Sequence, residues 1–208
     1  MNFERTDMEE YSNLDELRDV MLAPYIQKAT ALIGKPRKIG GNQFRHMMAT
    51  LAILIDYKIT DSVILKASVI HDLLEELPET QQDLILNADN DGSEVLKIVK
   101  ELTRKDDESK VEYLLRLKES ASYKAAVIKL ADRISNLTDI NTDIFDYEFI
   151  ARYIDETEQY IMPMALEINY NMYVELADLV KRKRRLLTTM MQLKNVMKNI
   201  IKNKKDKK

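Results

Sequence analysis

The chain has 208 residues, 45% of them apolar and 32% charged, enough core-forming side chain for one compact domain of fair size. There is no cysteine, which excludes a disulfide scaffold, a zinc finger and a thiol nucleophile together. No apolar run approaches the roughly 18 residues of a membrane span, and the acidic start MNFERTDMEE lacks the basic-then-apolar profile of a secretory signal, so a cytoplasmic location is expected. Net charge is −3 but uneven. Lys181 to Lys208 carries twelve Lys or Arg against Asp206 alone, leaving −14 on residues 1–180. So acidic a body does not bind nucleic acid through bulk electrostatics, and no nucleic-acid partner is expected. With only four glycines and four prolines, long helices and few connections are expected, hence an all-α fold.

In chain order, Asn13 with Glu16 three residues on forms a capping-box pattern, opening a helix towards Gly34 that Pro24 kinks or splits. RKIGGN (Arg37 to Asn42) reads as a loop. A helix follows over about Gln43–Tyr57. The next starts at Thr60 or Asp61 and runs to just before Pro78. A short helix near Gln81–Asn87 leads into the turn Asp89-Asn90-Asp91-Gly92, and Ser93 opens a helix to about Arg104. After a charged break another helix runs to Glu119. Tyr123–Leu137 is strongly helical, and a long helix from about Tyr147 carries Pro163 inside it. The last segment is helical too, until KNKKDKK at the end. No repeat and no alternating strand pattern is present.

The chain has two histidines. With the turn between their helices centred on residue 59, His46 lies thirteen residues before it and His71 twelve after. Both are then about 20 Å along their helices, level with one another if the helices pair antiparallel. Asp72 sits in VILKASVIHDLLEEL and Asp132 in AAVIKLADRISNL, each within a largely apolar helix where a carboxylate is costly without a partner. Two imidazoles and two carboxylates suit a first-row divalent ion such as Mn²⁺, Fe²⁺ or Zn²⁺ better than Ca²⁺. Glu75 and Glu76, one helical turn beyond His71 and Asp72, are placed to hold and polarise a water without binding the ion. The competing reading is a buried polar network with no ion. Arg37 and Lys38 read either as solvated loop charge or as contacts to a purine and a phosphate. Asn136 reads either as a helix-end residue bound to backbone or as a ligand contact, and Lys129 and Arg133 either as phosphate contacts or as surface ion pairs.

These residues have the pattern of the HD-domain phosphohydrolases. RKIGGNQFRH, HDLLEEL and IKLADRISNL resemble the hydrolase domain of RelA/SpoT-type alarmone enzymes, and ETEQYIMPMA (Glu156 to Ala165) resembles the helix that follows there. The resemblance spans about 29–168 and implies an HD-domain helical bundle with a long C-terminal helix or helices, with 1–180 as the phosphohydrolase domain and 181–208 as a basic helix and tail. By resemblance, His46, His71, Asp72 and Asp132 would ligate Mn²⁺, Glu75 and Glu76 would orient the attacking water, and Arg37, Lys38 and Asn136 would contact the nucleotide. The implied reaction is hydrolysis of the 3′-pyrophosphate of (p)ppGpp to GDP or GTP plus pyrophosphate. The alternatives are another nucleotide or phosphorylated cofactor as substrate, or a catalytically weak alarmone- or synthetase-binding protein. Three positions depart from the family pattern. Glu76 replaces an aspartate, Ser135 stands where histidine is frequent, and Asp139 stands where a small hydroxyl residue is common and would repel a polyphosphate. From Leu186 to Ile201, apolar residues at helical spacing oppose Lys194, Lys198 and Lys202. A helix packing on the domain or on a second copy is expected, with a protein partner or a membrane surface as further readings.

Overall fold

The computed structural model describes residues 16–38, 40–140 and 147–205, with side chains up to Leu193. Among them no β-strand occurs, and one isolated bridge pairs Pro36 with Asn42. The helices are α1 (Ala23–Ala29), α2 (Gln43–Asp56), α3 (Ser62–Val69), α4 (Leu73–Glu76), α5 (Asp83–Leu86), α6 (Gly92–Leu102), α7 (Lys110–Ser120), α8 (Tyr123–Asp139), α9 (Tyr147–Glu156), α10 (Met162–Ile168) and α11 (Tyr170–Lys205). A 3₁₀ turn, Thr30–Leu32, extends α1. Asn13, where a capping box was expected, lies outside the described residues.

Helix α8 is the axis of the molecule. Eleven of its seventeen residues are buried, including Ala125, Val127, Leu130, Ile134 and Leu137. It packs against α2, α3, α6, α10 and α11. Burial of each large aliphatic side chain contributes about 1.5–3 kcal/mol, so the helix is held by tertiary contacts on nearly all sides. Side-chain caps fix its own start and those of its neighbours. Asn42 accepts from Arg45 N–H, Asp61 from Ile64 N–H, and Ser122 from Ala125 N–H. Ser109 and Glu112 form a reciprocal capping box at α7.

Helix α2 ends in a left-handed cap. Lys58 has φ +58°, Lys58 N–H bonds Ile55 C=O, and Ile59 N–H bonds Leu54 C=O, the two reverse bonds of a Schellman motif. The chain then returns antiparallel through α3.

Pro24 splits the helix expected towards Gly34, one of the two outcomes read from the sequence, and lies in the first turn of α1, where its missing N–H costs nothing. Two differences from the sequence expectation follow from backbone hydrogen bonding. The helix expected from residue 61 to Pro78 is two helices, broken at Ile70–Asp72, so His71 and Asp72 are not mid-helix residues. The helix expected from Tyr147 onward passes through a π turn, Thr157–Ile161, just before Pro163, then α10, and breaks again at Asn169. Widening the turn relieves the clash of the proline ring with the preceding carbonyls.

Helix α11 is 36 residues long, about 54 Å, and passes residue 180 without a break. It packs on α8, α9 and α10. Lys183 Nζ donates to Ile140 C=O at 2.6 Å, capping the end of α8. Leu187 is buried, whereas Leu186, Met191 and Leu193 are exposed, so the expected docking on the domain extends to about Leu187. Among the described residues no helix is long and apolar enough to cross a membrane.

Candidate active site

The site is built on the antiparallel pair α2 and α3 with α8 laid across them. Because the turn at 57–61 is central between the histidines, the imidazoles of His46 and His71 meet with ring centroids 5.3 Å apart. The break after α3 serves the same end. Ser68 C=O, which a continuous helix would occupy with the amide four residues on, accepts instead from His71 Nδ1 at 2.7 Å. This fixes the tautomer and turns the Nε2 lone pair towards the carboxylates. His46 Nδ1 lies 3.0 Å from Ser135 Oγ, which holds the second ring in the same sense.

Four donor residues from three stretches of chain converge. His46 Nε2 is 3.0 Å from Asp132 Oδ1 and 3.8 Å from Asp72 Oδ2, and His71 Nε2 is 3.4 Å from Asp72 Oδ1 and 3.9 Å from Asp132 Oδ1. Two donors each bound at about 2.1 Å to one ion lie roughly 3.0–4.2 Å apart for angles from 90° to 180°, and all four separations fall in that range. His46, His71 and Asp132 are buried, and their donor atoms lie within 4.8 Å of one another. Asp72 is more open, its side chain 27% exposed. His71 Nε2 is buried and has no hydrogen-bond partner. A lone pair facing two carboxylate oxygens is repulsive unless a cation stands between them. The residues present therefore fit a divalent metal better than an ion-free network.

Lys129, expected as a phosphate contact or a surface pair, is largely withdrawn from solvent, its side chain 14% exposed. Its Nζ lies 2.7 Å from Asp132 Oδ2. Burial works against both charges, but their mutual attraction outweighs it, holding the Lys129 ammonium well above its usual pKa and the Asp132 carboxyl well below. Arg133 is buried, donating to Thr157 Oγ1 at 3.1 Å with its guanidinium 4.1 Å from the Tyr153 ring. Asn136 does not bind backbone through its side chain. It donates to Asp132 Oδ1 at 2.5 Å and accepts from Arg37 Nη2 at 2.7 Å. Asp139, expected to face a ligand, is paired with Arg37 Nη1 at 2.6 Å.

A cleft of about 530 Å³ opens over the donors. It is lined by eight of the nine candidate metal, catalytic and nucleotide-contact residues, all but the buried His71: Arg37, Lys38, His46, Asp72, Glu75, Glu76, Asp132 and Asn136. Glu76 Oε1 accepts from Gln43 Nε2 at 2.6 Å, one turn of α2 before His46. Glu75 stands in the cleft, where loss of solvent and then the Asp72 charge raise its carboxyl above the usual pKa. The sequence reading missed Gln43, Arg104, Lys110, Tyr113, Phe149 and Tyr153, which also line the cleft. Arg104 and Lys110 flank the turn between α6 and α7, and nothing local in TRKDDESK shows that this turn closes over α8. The tyrosines follow the apolar spacing of α7 and α9, so they read only as core. Lys38, Arg104, Lys110 and Lys129 bring positive charge into the same cleft, Lys129 against Asp132 and Lys110 against Glu156. The cleft can thus hold a metal and a water and take a polyanion beside aromatic rings.

No protein-family model matches the chain. Over 86 residues it is 34% identical to the mouse (Mus musculus) guanosine-3′,5′-bis(diphosphate) 3′-pyrophosphohydrolase MESH1, a match covering 40% of this chain and 46% of that protein. The matched stretch thus spans less than half the length of that relative. A solved structure reported under the description that a metazoan ortholog of SpoT hydrolyses ppGpp and plays a role in starvation responses superposes with a TM-score of 0.69. That superposition covers 78% of this chain and 94% of the other at 23% identity, so the two share the all-α fold.

Proposed function

We propose that the protein is a metal-dependent hydrolase that removes the 3′-pyrophosphate of (p)ppGpp, releasing GDP or GTP and pyrophosphate. The observation carrying this reading is the orphaned Nε2 of His71, buried and facing two carboxylates that line a cleft also holding Lys38, Arg104 and Lys110. The similarity to MESH1, which is named for that activity, supports the choice of substrate. In this reading His46, His71, Asp72 and Asp132 hold the ion, with Mn²⁺ as the resident metal. Bound there, the ion offsets phosphate charge and makes water acidic enough to attack at neutral pH.

The chain's own residues supply the rest. Glu75, raised in pKa and open to the cleft, accepts a proton from the attacking water. Glu76, fixed by Gln43, sets the direction of that water. Lys38, Arg104 and Lys110, which line the same cleft, supply positive charge that offsets the phosphates. Tyr113, Tyr153 and Phe149 line the cleft beside them.

The test is purification with elemental analysis, then incubation with ppGpp and Mn²⁺ and identification of products. Pyrophosphate and GDP are expected. Asp72→Ala and His71→Ala should each abolish turnover and lower metal content. Turnover by Asp72→Ala as fast as wild type would overturn the assignment. A nucleotide panel in the same assay separates this substrate from other phosphorylated nucleotides.

A further inference from the structure

A carboxylate at the last turn of α8 is out of place beside a polyphosphate, yet Asp139 stands there. Its Oδ2 takes Arg37 Nη1 at 2.6 Å while Arg37 Nη2 goes to Asn136 Oδ1 at 2.7 Å. Asn136 and Asp139 are three residues apart, hence neighbours on one face of α8. Two acceptors on one helix therefore grip both terminal nitrogens of a single guanidinium. The Arg37 side chain is 4% exposed and Asp139 41%, so the cation lies inside and its counterion at the rim.

Arg37 belongs to a tight loop. Its N–H bonds Gly41 C=O at 3.2 Å, Gly40 N–H bonds its carbonyl at 3.0 Å, and Gly40 and Gly41 both take positive φ. Lys35 Nζ ties the base of this loop to Glu76 C=O at 3.3 Å. The Arg37 pair ties it to α8, and through Asn136 to Asp132.

We propose that Asp139 is a positioning residue that acts through Arg37, setting the plane of the guanidinium and holding the loop 35–42 at the rim of the cleft. The proposal rests on the (p)ppGpp reading for its substrate, though not for its geometry. With both terminal nitrogens committed and the charge balanced by Asp139, Arg37 meets a ligand through its flat face rather than as a bare cation. The carboxylate that would repel a polyphosphate is itself balanced by the same pair.

The experiment compares Asp139→Ala, Asp139→Asn, Arg37→Ala and the double alanine variant in the full chain, with Mn²⁺ and ppGpp. Asp139→Ala should raise KM about tenfold and leave kcat within about twofold, with unchanged metal content. Asp139→Asn keeps a carbonyl acceptor and should recover part of the loss. Adding Asp139→Ala to Arg37→Ala should change KM less than about twofold, since nothing remains to be positioned. Hydrogen exchange at the Gly40 amide should quicken in Asp139→Ala without substrate present. Wild-type KM and exchange in Asp139→Ala, additive effects in the double variant, or a lowered KM from relieved repulsion would each overturn the proposal. If the wild-type protein leaves ppGpp intact, the substrate reading fails on its own, and the exchange comparison still decides the role of Asp139.

Discussion

At the residue scale, the chemistry of the site depends on which nitrogen of each imidazole faces inward. His71 is set by a backbone carbonyl that a helix break makes available, and His46 by the hydroxyl of Ser135. Ser135 was legible only as a departure from a histidine, because the sequence carries no sign that residues 46 and 135 touch. Ser135→Ala removes that partner while leaving all four metal donors in place. Metal affinity should fall about 10- to 100-fold, as for other partners of a ligating histidine. Titration of the metal-free protein with Mn²⁺ checks this, and an unchanged affinity would show that Ser135 does not orient the ring. The four proposed metal donors were readable in the sequence as candidates, since polar residues in apolar stretches stand out by their cost. Arg104 and Lys110 were not, because charged residues in a polar turn carry no such signal.

At the element scale, the level placement of the histidines follows from the lengths of α2 and α3 and the cap between them. The cap places Lys58 at φ +58°, a conformation that costs a residue with a Cβ about 1 kcal/mol and glycine almost nothing. Lys58→Gly should therefore stabilise the protein by about 0.5–1 kcal/mol, read as a raised urea midpoint with the slope unchanged. A lowered midpoint would mean that the lysine side chain contributes more than the backbone loses. The break at Ile70–Asp72 is the element the sequence hid. The stretch VILKASVIHDLLEEL has helical spacing throughout, and neither glycine nor proline marks the interruption. The π turn before Pro163 was half visible, since the proline announced a disturbance but not its form.

At the scale of the whole molecule, one polar cluster away from the site ties three elements. Lys66 Nζ on α3 lies 2.7 Å from Asp89 Oδ2 and 2.6 Å from Asp91 Oδ2, and Tyr25 OH on α1 donates to Asp89 Oδ1 at 2.7 Å. For Asp89 and Lys66 burial opposes the charge, but the contacts outweigh it. For Asp91, the bonds from Lys66 and Ser62 come first. Both carboxyls are held below their usual pKa and the ammonium above its own. The stability from the carboxylates is therefore present above about pH 4 and lost as pH falls through their folded values. That from Lys66 is complete below its usual value of 10.5 and lost only as pH rises beyond it. Lys66→Met leaves two carboxylates facing each other and should cost on the order of 3 kcal/mol at pH 7. The deficit relative to wild type should shrink at pH 3.5, where protonation relieves the repulsion. Denaturant unfolding at both values checks this, and an equal deficit at each would rule out the charge account.

The sequence by itself determined the helical class and most helix positions, and singled out the four candidate metal donors. Those properties are written in composition, 3.6-residue spacing and the cost of a polar group on an apolar face, all of them local quantities. Tertiary structure alone decided that α3 breaks at the histidine, that Asp139 holds Arg37 and that the turn between α6 and α7 brings Arg104 and Lys110 into the cleft. Each of those depends on groups brought together from distant parts of the chain, which become neighbours only when the buried surfaces around α8 have closed.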